Sequence, residues 1–302
     1  MISLAALEII AAGISIGLLL GLTGGGGSIL TVPLLVYVIG LEPKVAIATS
    51  MLIVGVTSLA ALLSHSHAGR VAWRTGAIFG LAGMAGAYCG GVMAQLVAGG
   101  VLLLLFAGVM VCSGLSMLRR TCATAIAPMT TGDAPALSTT RILTDGLGVG
   151  ILTGLLGAGG GFLVVPALAL RAGLAMHTAI GTSLLVIAMN CAAGIASYAL
   201  TSGIVLDVDA GAVISALSVV GTILGARLAR AISPARLQRG FGLFVLLVAV
   251  ILFCLEGSGL LAPVLALDRF IVGATLFVLS TVALMVLVIR ILHNNHVAYP
   301  PP

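Results

Sequence analysis

The chain has 302 residues, of which 61% are hydrophobic and only 7% charged. Soluble domains carry about 25% charged residues, so a soluble surface is excluded and an integral membrane protein with many spans is implied. The net charge of +5 comes without a basic run interleaved with aromatics, which excludes nucleic-acid binding and leaves the positive-inside rule as its explanation.

The first 22 residues, MISLAALEIIAAGISIGLLLGL, lack a basic start and contain Glu8, unlike a secretory signal, and are read as a retained first span. Next comes GLTGGGGSILTVP (21–33), with four consecutive glycines where a helix is the cheap way to satisfy the backbone. Glycine in a helix interior costs about 1 kcal/mol relative to alanine, so the helix is expected to stop there. Unwound backbone at membrane depth survives only where protein or a water-filled cavity covers it. Apolar segments follow at about 28–40, 45–64, 74–97 and 100–118. The HSH at 65–67 sits at a loop edge without a partner cluster, so no metal site is read there.

A polar linker, RRTCATAIAPMTTGDAPALSTTR (119–141), precedes a second series of segments at about 142–156, 161–173, 178–200, 210–231 and 237–255. One further segment, about 270–289, follows them. The stretch GLLGAGGGFLVVP (154–166) aligns with 21–33 at an offset of 133 (154 less 21), and residues 21–52 match 154–185 at 16 of 32 positions without a gap. Pro33 falls on Pro166, Gly40 on Gly173, and Thr49-Ser50 on Thr182-Ser183; two single-residue gaps bring Gly86 and Gly90 onto Gly221 and Gly225. The chain is a duplication. It divides into a first transmembrane repeat (1–118), a cytoplasmic linker (119–141), a second transmembrane repeat (142–256) and an extra transmembrane helix with a tail (257–302).

The second segment of each copy has about 13 residues, roughly 20 Å at the helical rise. That is short of the roughly 30 Å hydrocarbon core. Short segments behind glycine loops, at corresponding places in two halves, point to discontinuous helices around a transport site. Loop charge relates the halves. In copy one the third-to-fourth loop carries Arg70 and Arg74 and the next has no charge. In copy two the third-to-fourth loop has two aspartates and no base, while the next region carries Arg227, Arg230, Arg236 and Arg239. If basic loops face the cytoplasm, the copies are inverted, with the N-terminus outside and the C-terminus cytoplasmic. The expected fold is all-α: a polytopic membrane protein of two inverted repeats, each with a Gly-rich broken or re-entrant helix, plus one C-terminal span.

In such an arrangement the two loops meet near the midplane and present the free N–H groups of the short helices, a ready anion site. The candidate substrate-binding residues are Gly24, Gly25, Gly26, Gly27 and Ser28 in the first loop, and Gly157, Gly159, Gly160 and Gly161 in the second. Thr49, Ser50, Thr182 and Ser183 would add hydroxyls, unless they only bond back to the preceding turn. Asn190, polar among apolar neighbours, is either interhelical glue or a ligand contact. Isolated glycine pairs elsewhere are read as helix packing, Arg74 and Arg227 as snorkelling side chains, and Asp145 as an ion-pair partner of Arg141. Five cysteines without a CxxC pairing are read as buried, inert thiols.

No Gly-x-Ser-x-Gly nucleophile, metal set or acidic pair appears in the spans, and GAGGGF lacks the βαβ context and lysine of a phosphate loop. No enzyme, cofactor or metal is therefore expected. The expected partners are a small anionic substrate and membrane lipid, with no nucleic acid and with homo-oligomerisation left open. A proton- or ion-coupled carrier of another metabolite, a channel, and a membrane scaffold or enzyme remain the alternatives.

GAGGGFLVVP (157–166) and its first-half counterpart GGGGSILTVP (24–33), with GTS at 181–183 and GTILGARLA at 221–229, resemble the sulfite exporter TauE/SafE family, also called toluene sulfonate uptake permeases. The resemblance covers about residues 5–256; Gly25 and Ser28 depart from the second copy. It implies transport of sulfur-containing anions such as sulfite or organosulfonates across the bacterial inner membrane, in a direction it does not reveal.

Overall fold

The computed structural model describes residues 4–23, 26–67, 69–123, 139–157, 159–170, 172–201, 208–229 and 234–261. All regular structure among them is helical. The first copy contains α1 (Leu4–Thr23), a 3-10 turn (Gly26–Leu30), α2 (Thr31–Tyr37), α3 (Pro43–His67), α4 (Trp73–Leu96) and α5 (Gly99–Ala123). The second contains α6 (Thr139–Leu156), α7 (Gly161–Leu170), α8 (Met176–Thr201), α9 (Val208–Ala229) and α10 (Pro234–Leu261). Much of the linker, the segment at 270–289 and the tail lie outside the described residues.

Apolar composition and length make helices of these segments, because a helix bonds its own backbone without help from water. Residues 43–67, 73–96, 99–116 and 178–201 are each long and apolar enough to cross a membrane. Prolines open α3 and α10, where the missing N–H costs nothing. The expected short segments are short: α2 has 7 residues and α7 has 10, about 10 and 15 Å long. In the first copy part of the glycine run is itself wound, as the 3-10 turn ahead of α2.

The halves interleave rather than stand side by side. The fourth helix of each repeat packs on the first and third helices of the other: α4 on α6 and α8, and α9 on α1 and α3. Helices α3 and α8 contact each other, as do α5 and α10. Glycine makes the closest seams possible. A Cβ on Gly150 would run into the backbone of Gly83, one on Gly154 into the carbonyl of Ala87, and one on Gly86 into the carbonyl of Leu147. Across α1 and α9, Gly17 lies on the Ser218 backbone, and Ser218 Oγ donates to the Gly13 carbonyl at 2.9 Å. Small residues that let backbones touch replace the hydrophobic effect as the means of association in lipid.

The contacts also fix helix direction. At one end of the α4–α8 pair Ala72 N–H donates to Thr182 Oγ1 at 2.9 Å, and at the other Gln95 Nε2 donates to Ser197 O at 3.4 Å. These two helices therefore run parallel. Gly55 of α3 lies against Cys191 and Gly194 of α8 against Met51, so α3 and α8 run antiparallel. Gly76 packs on Thr182 and Leu185, and Gly211 packs on Thr49 and Leu52, the residues 133 positions earlier. The same contact thus occurs twice, each time between the halves. Arg70 and the C-terminal end of α8 lie at opposite ends of the bundle. With native cysteines removed, a membrane-impermeant maleimide is expected to reach Arg70→Cys and Leu200→Cys from opposite membrane faces. Labelling of both from one face would break this arrangement.

The core is formed by Ile47, Ala48, Met51 and Val54 of α3 with Ile187, Cys191 and Tyr198 of α8, joined by Leu156 and Phe162. The flanks carry exposed Leu59, Leu63, Leu81, Leu96, Leu200, Val250 and Phe253, an apolar exterior suited to lipid. The cysteines depart from expectation. Cys191 is buried, but Cys89, Cys112 and Cys254 are exposed, because they fall on the outward faces of α4, α5 and α10. The histidines at 65–67 belong to the last turn of α3 rather than to a loop, and His67 Nδ1 sits 2.6 Å from the Leu63 carbonyl.

Candidate functional site at the glycine loops

Helix α6 closes when Gly157 N–H donates to the Thr153 carbonyl at 2.9 Å, and α7 opens at Gly161. Between them Gly157, Gly159 and Gly160 have φ of +69°, +63° and +69°. An L side chain in this left-handed region costs roughly 1–2 kcal/mol, so the glycines are required by the turn and not only by packing. The loop is cradled by both halves. Gly157 lies against the backbone of Ile47, Gly159 against Val54 and Ile187, and Gly160 against Thr153 Oγ1.

Hydrogen bonding divides the loop by polarity. The Gly157 carbonyl accepts from Ser50 Oγ at 2.6 Å, and the Gly160 carbonyl accepts from the N–H groups of Leu163 and Val164 at 2.9 and 2.8 Å. Among the described residues, the N–H groups of Gly159, Gly160 and Gly161 find no acceptor. Among the described residues, two loop carbonyls are engaged, while three N–H donors and the Gly159 carbonyl have no partner at the N-terminal end of a helix, where partial positive charge gathers.

In the first copy Gly26, Gly27 and Ser28 lie in the 3-10 turn, which contacts α7 of the other half; Ser28 is fully buried. The two glycine stretches are therefore brought together. Gly24 and Gly25 lie outside the described residues. The paired hydroxyls divide by role. Ser50 and Ser183 each bond back to the carbonyl three residues earlier, Ile47 and Ile180, both at 2.7 Å, and Ser50 also reaches across to Gly157. Thr182 Oγ1 accepts the Ala72 N–H ahead of α4, while Thr49 Oγ1 is buried with no partner among the described residues. Asn190 is fully buried in the α4–α8 seam, its amide against Gly83, and neither amide atom finds a partner among the described residues.

Two residues escaped the sequence. Thr31 begins α2 directly after the 3-10 turn and is buried with its hydroxyl unpartnered among the described residues; Ser58, on α3, is in the same state. Their counterparts 133 positions later are Val164 and Cys191, so a search for residues shared by both copies passes them over.

A family model described as sulfite exporter TauE/SafE matches residues 9–252. A protein of Xylella fastidiosa strain Temecula1 named "Probable membrane transporter protein" is 37% identical over 256 residues, 82% of this chain and 94% of its own length. "Probable membrane transporter protein YdhB" of Bacillus subtilis is 28% identical over 212 residues, 70% of this chain and 83% of its own. No solved structure matches the chain. A bundle of apolar helices around two broken ones, with this match over most of its length, belongs to the sulfite exporter TauE/SafE family of multi-pass membrane transporters.

Proposed function

We propose that the protein is a secondary carrier of a small sulfur-containing oxyanion, sulfite or an organosulfonate, across the bacterial inner membrane. The observation that carries this reading is the polarity of the second loop: among the described residues the N–H groups of Gly159, Gly160 and Gly161 have no acceptor, while the carbonyls of Gly157 and Gly160 are engaged. Backbone donors hold an oxyanion without a permanent buried cation. Binding of that kind is weak enough for release, which a carrier requires. A carrier that coordinated a cation through unwound carbonyls would need several of them free, and those of Gly157 and Gly160 are engaged, which favours the anion reading. The matching family's description as a sulfite exporter agrees with it.

The two halves are read as inverted repeats related by a pseudo-two-fold axis in the membrane plane, with the N-terminus outside and the C-terminus in the cytoplasm. The antiparallel crossing of α3 with its counterpart α8 supports this. Two equivalent loops approached from opposite faces suit alternating access around one central site.

Proteoliposomes containing the purified protein are expected to accumulate labelled sulfite in a saturable way, at least tenfold faster than empty liposomes. Taurine or an aryl sulfonate should compete. Absence of uptake under both a proton and a sodium gradient would overturn the sulfite assignment.

A further inference from the structure

Resting on the reading of the glycine loops as the oxyanion site, we propose that Ser50 is a positioning residue. It clasps the loop of the second half to helix α3 of the first, and so sets which sign of ion the loop accepts.

Ser50 is fully buried, with its Oγ 2.7 Å from the Ile47 carbonyl and 2.6 Å from the Gly157 carbonyl. A hydroxyl has one proton, and both neighbours are acceptors, so that proton is shared between two carbonyls. While the clasp is closed, Ser50 has no proton left to give a ligand. The bond also replaces one that the broken helix has lost. In a continuous helix the Gly157 carbonyl would accept the N–H four residues on, but that N–H belongs to Gly161 and makes no such bond. A carbonyl stranded at membrane depth must find a donor, and Ser50 supplies it.

The fit is close along the backbone as well. A Cβ built on Gly157 would stand 2.7 Å from the Ile47 carbonyl oxygen and 2.9 Å from its Cα. The loop rests directly on α3 at Ile47, about two turns ahead of Val54, which meets Gly159. Holding the Gly157 carbonyl against α3 keeps a negative dipole end away from the N–H groups of Gly159, Gly160 and Gly161, which have no acceptor among the described residues. Released, that carbonyl would compete with the anion for the same donors and offer itself to cations. Because Ser50 and Gly157 belong to different repeats, any movement of one half against the other must carry this loop along with α3 or break the bond.

The test compares wild type, Ser50→Ala and Ser50→Thr in lipid nanodiscs and proteoliposomes. Loss of the donor is expected to speed backbone amide exchange over residues 157–162 about tenfold, and Ser50→Thr should restore it. Half-saturation for labelled sulfite should rise about tenfold in Ser50→Ala, with a smaller fall in maximal rate and full rescue by threonine. If Ser50→Ala does not fold, Ser50→Cys, of similar size with a weaker donor, is read the same way. Unchanged exchange and unchanged half-saturation, in a wild type that transports sulfite, overturn the clasp and leave the oxyanion site standing. Faster exchange in Ser50→Ala, with no sulfite flux even in wild type, supports the clasp and overturns the oxyanion reading.

Discussion

Gly160→Leu is expected to reduce sulfite flux at least a hundredfold while the protein remains folded and monodisperse. Gly160 has φ of +69°, where an L residue costs roughly 1–2 kcal/mol, and a Cβ there runs into Thr153 Oγ1. Thr153 is buried and bonded to the Val149 carbonyl at 2.9 Å, so it yields only by giving up that bond. The strain falls on the loop and the start of α7. The glycine seams of α4 with α6 and of α1 with α9 do not involve residue 160, so the bundle keeps its main contacts. A hundredfold loss corresponds to about 2.8 kcal/mol, within what displacing the N–H donors would remove from the proposed oxyanion site. Gly173→Leu is the control. Gly173 also has a positive φ, +60°, but lies exposed with no atom near its would-be Cβ, so it carries the backbone strain without the site. Flux should survive there. If Gly160→Leu transports as well as wild type, the second loop plays no part in the mechanism.

The broken helices were legible because their chemistry repeats. Glycine runs, the prolines at 33 and 166, and the threonine–serine pairs recur at one spacing, since both copies answer the same requirement to interrupt a helix and cover the break. The start of α7 at Gly161 agrees with the sequence reading, although the helix ends at Leu170 rather than near 173. In the first copy the break is partly rewound into a 3-10 turn, which glycine composition alone cannot specify. What sequence could not supply was the partner of each polar group. The bond from Ser50 to the Gly157 carbonyl depends on α3 of one half lying against a loop of the other. Thr182 reads as a ligand candidate, yet its oxygen accepts the Ala72 N–H. The glycines of α4 look like one stripe. In three dimensions Gly76, Gly80 and Gly83 meet side chains of α8, while Gly86 and Gly90 meet the backbone of α6. Contacts of this kind are set by helix direction and interleaving, and no local pattern encodes them.

Asn190→Thr is expected to make the protein more stable and a poorer transporter. The first repeat puts Thr57 at the corresponding position, 133 residues earlier, and that hydroxyl bonds back to the Ile53 carbonyl within its own helix. Threonine at 190 can satisfy itself in the same way through the carbonyl of Val186. Asn190 has no such recourse: its amide is fully buried against Gly83, with neither nitrogen nor oxygen partnered among the described residues. An unsatisfied buried polar group costs about 1–3 kcal/mol, so the replacement should stabilise by about that amount, read as a raised unfolding midpoint in nanodiscs. We propose that a group kept at such a cost, in the seam between α8 and α4, serves a state where the seam opens and the amide meets substrate. Loss of that contact should lower flux at least tenfold, as expected for a hydrogen bond to a charged ligand worth about 1.5–3 kcal/mol. A raised midpoint with flux unchanged would reduce Asn190 to a packing residue. A lowered midpoint would mean that the amide has a partner in the membrane, and that the seam is wetter than its glycines imply.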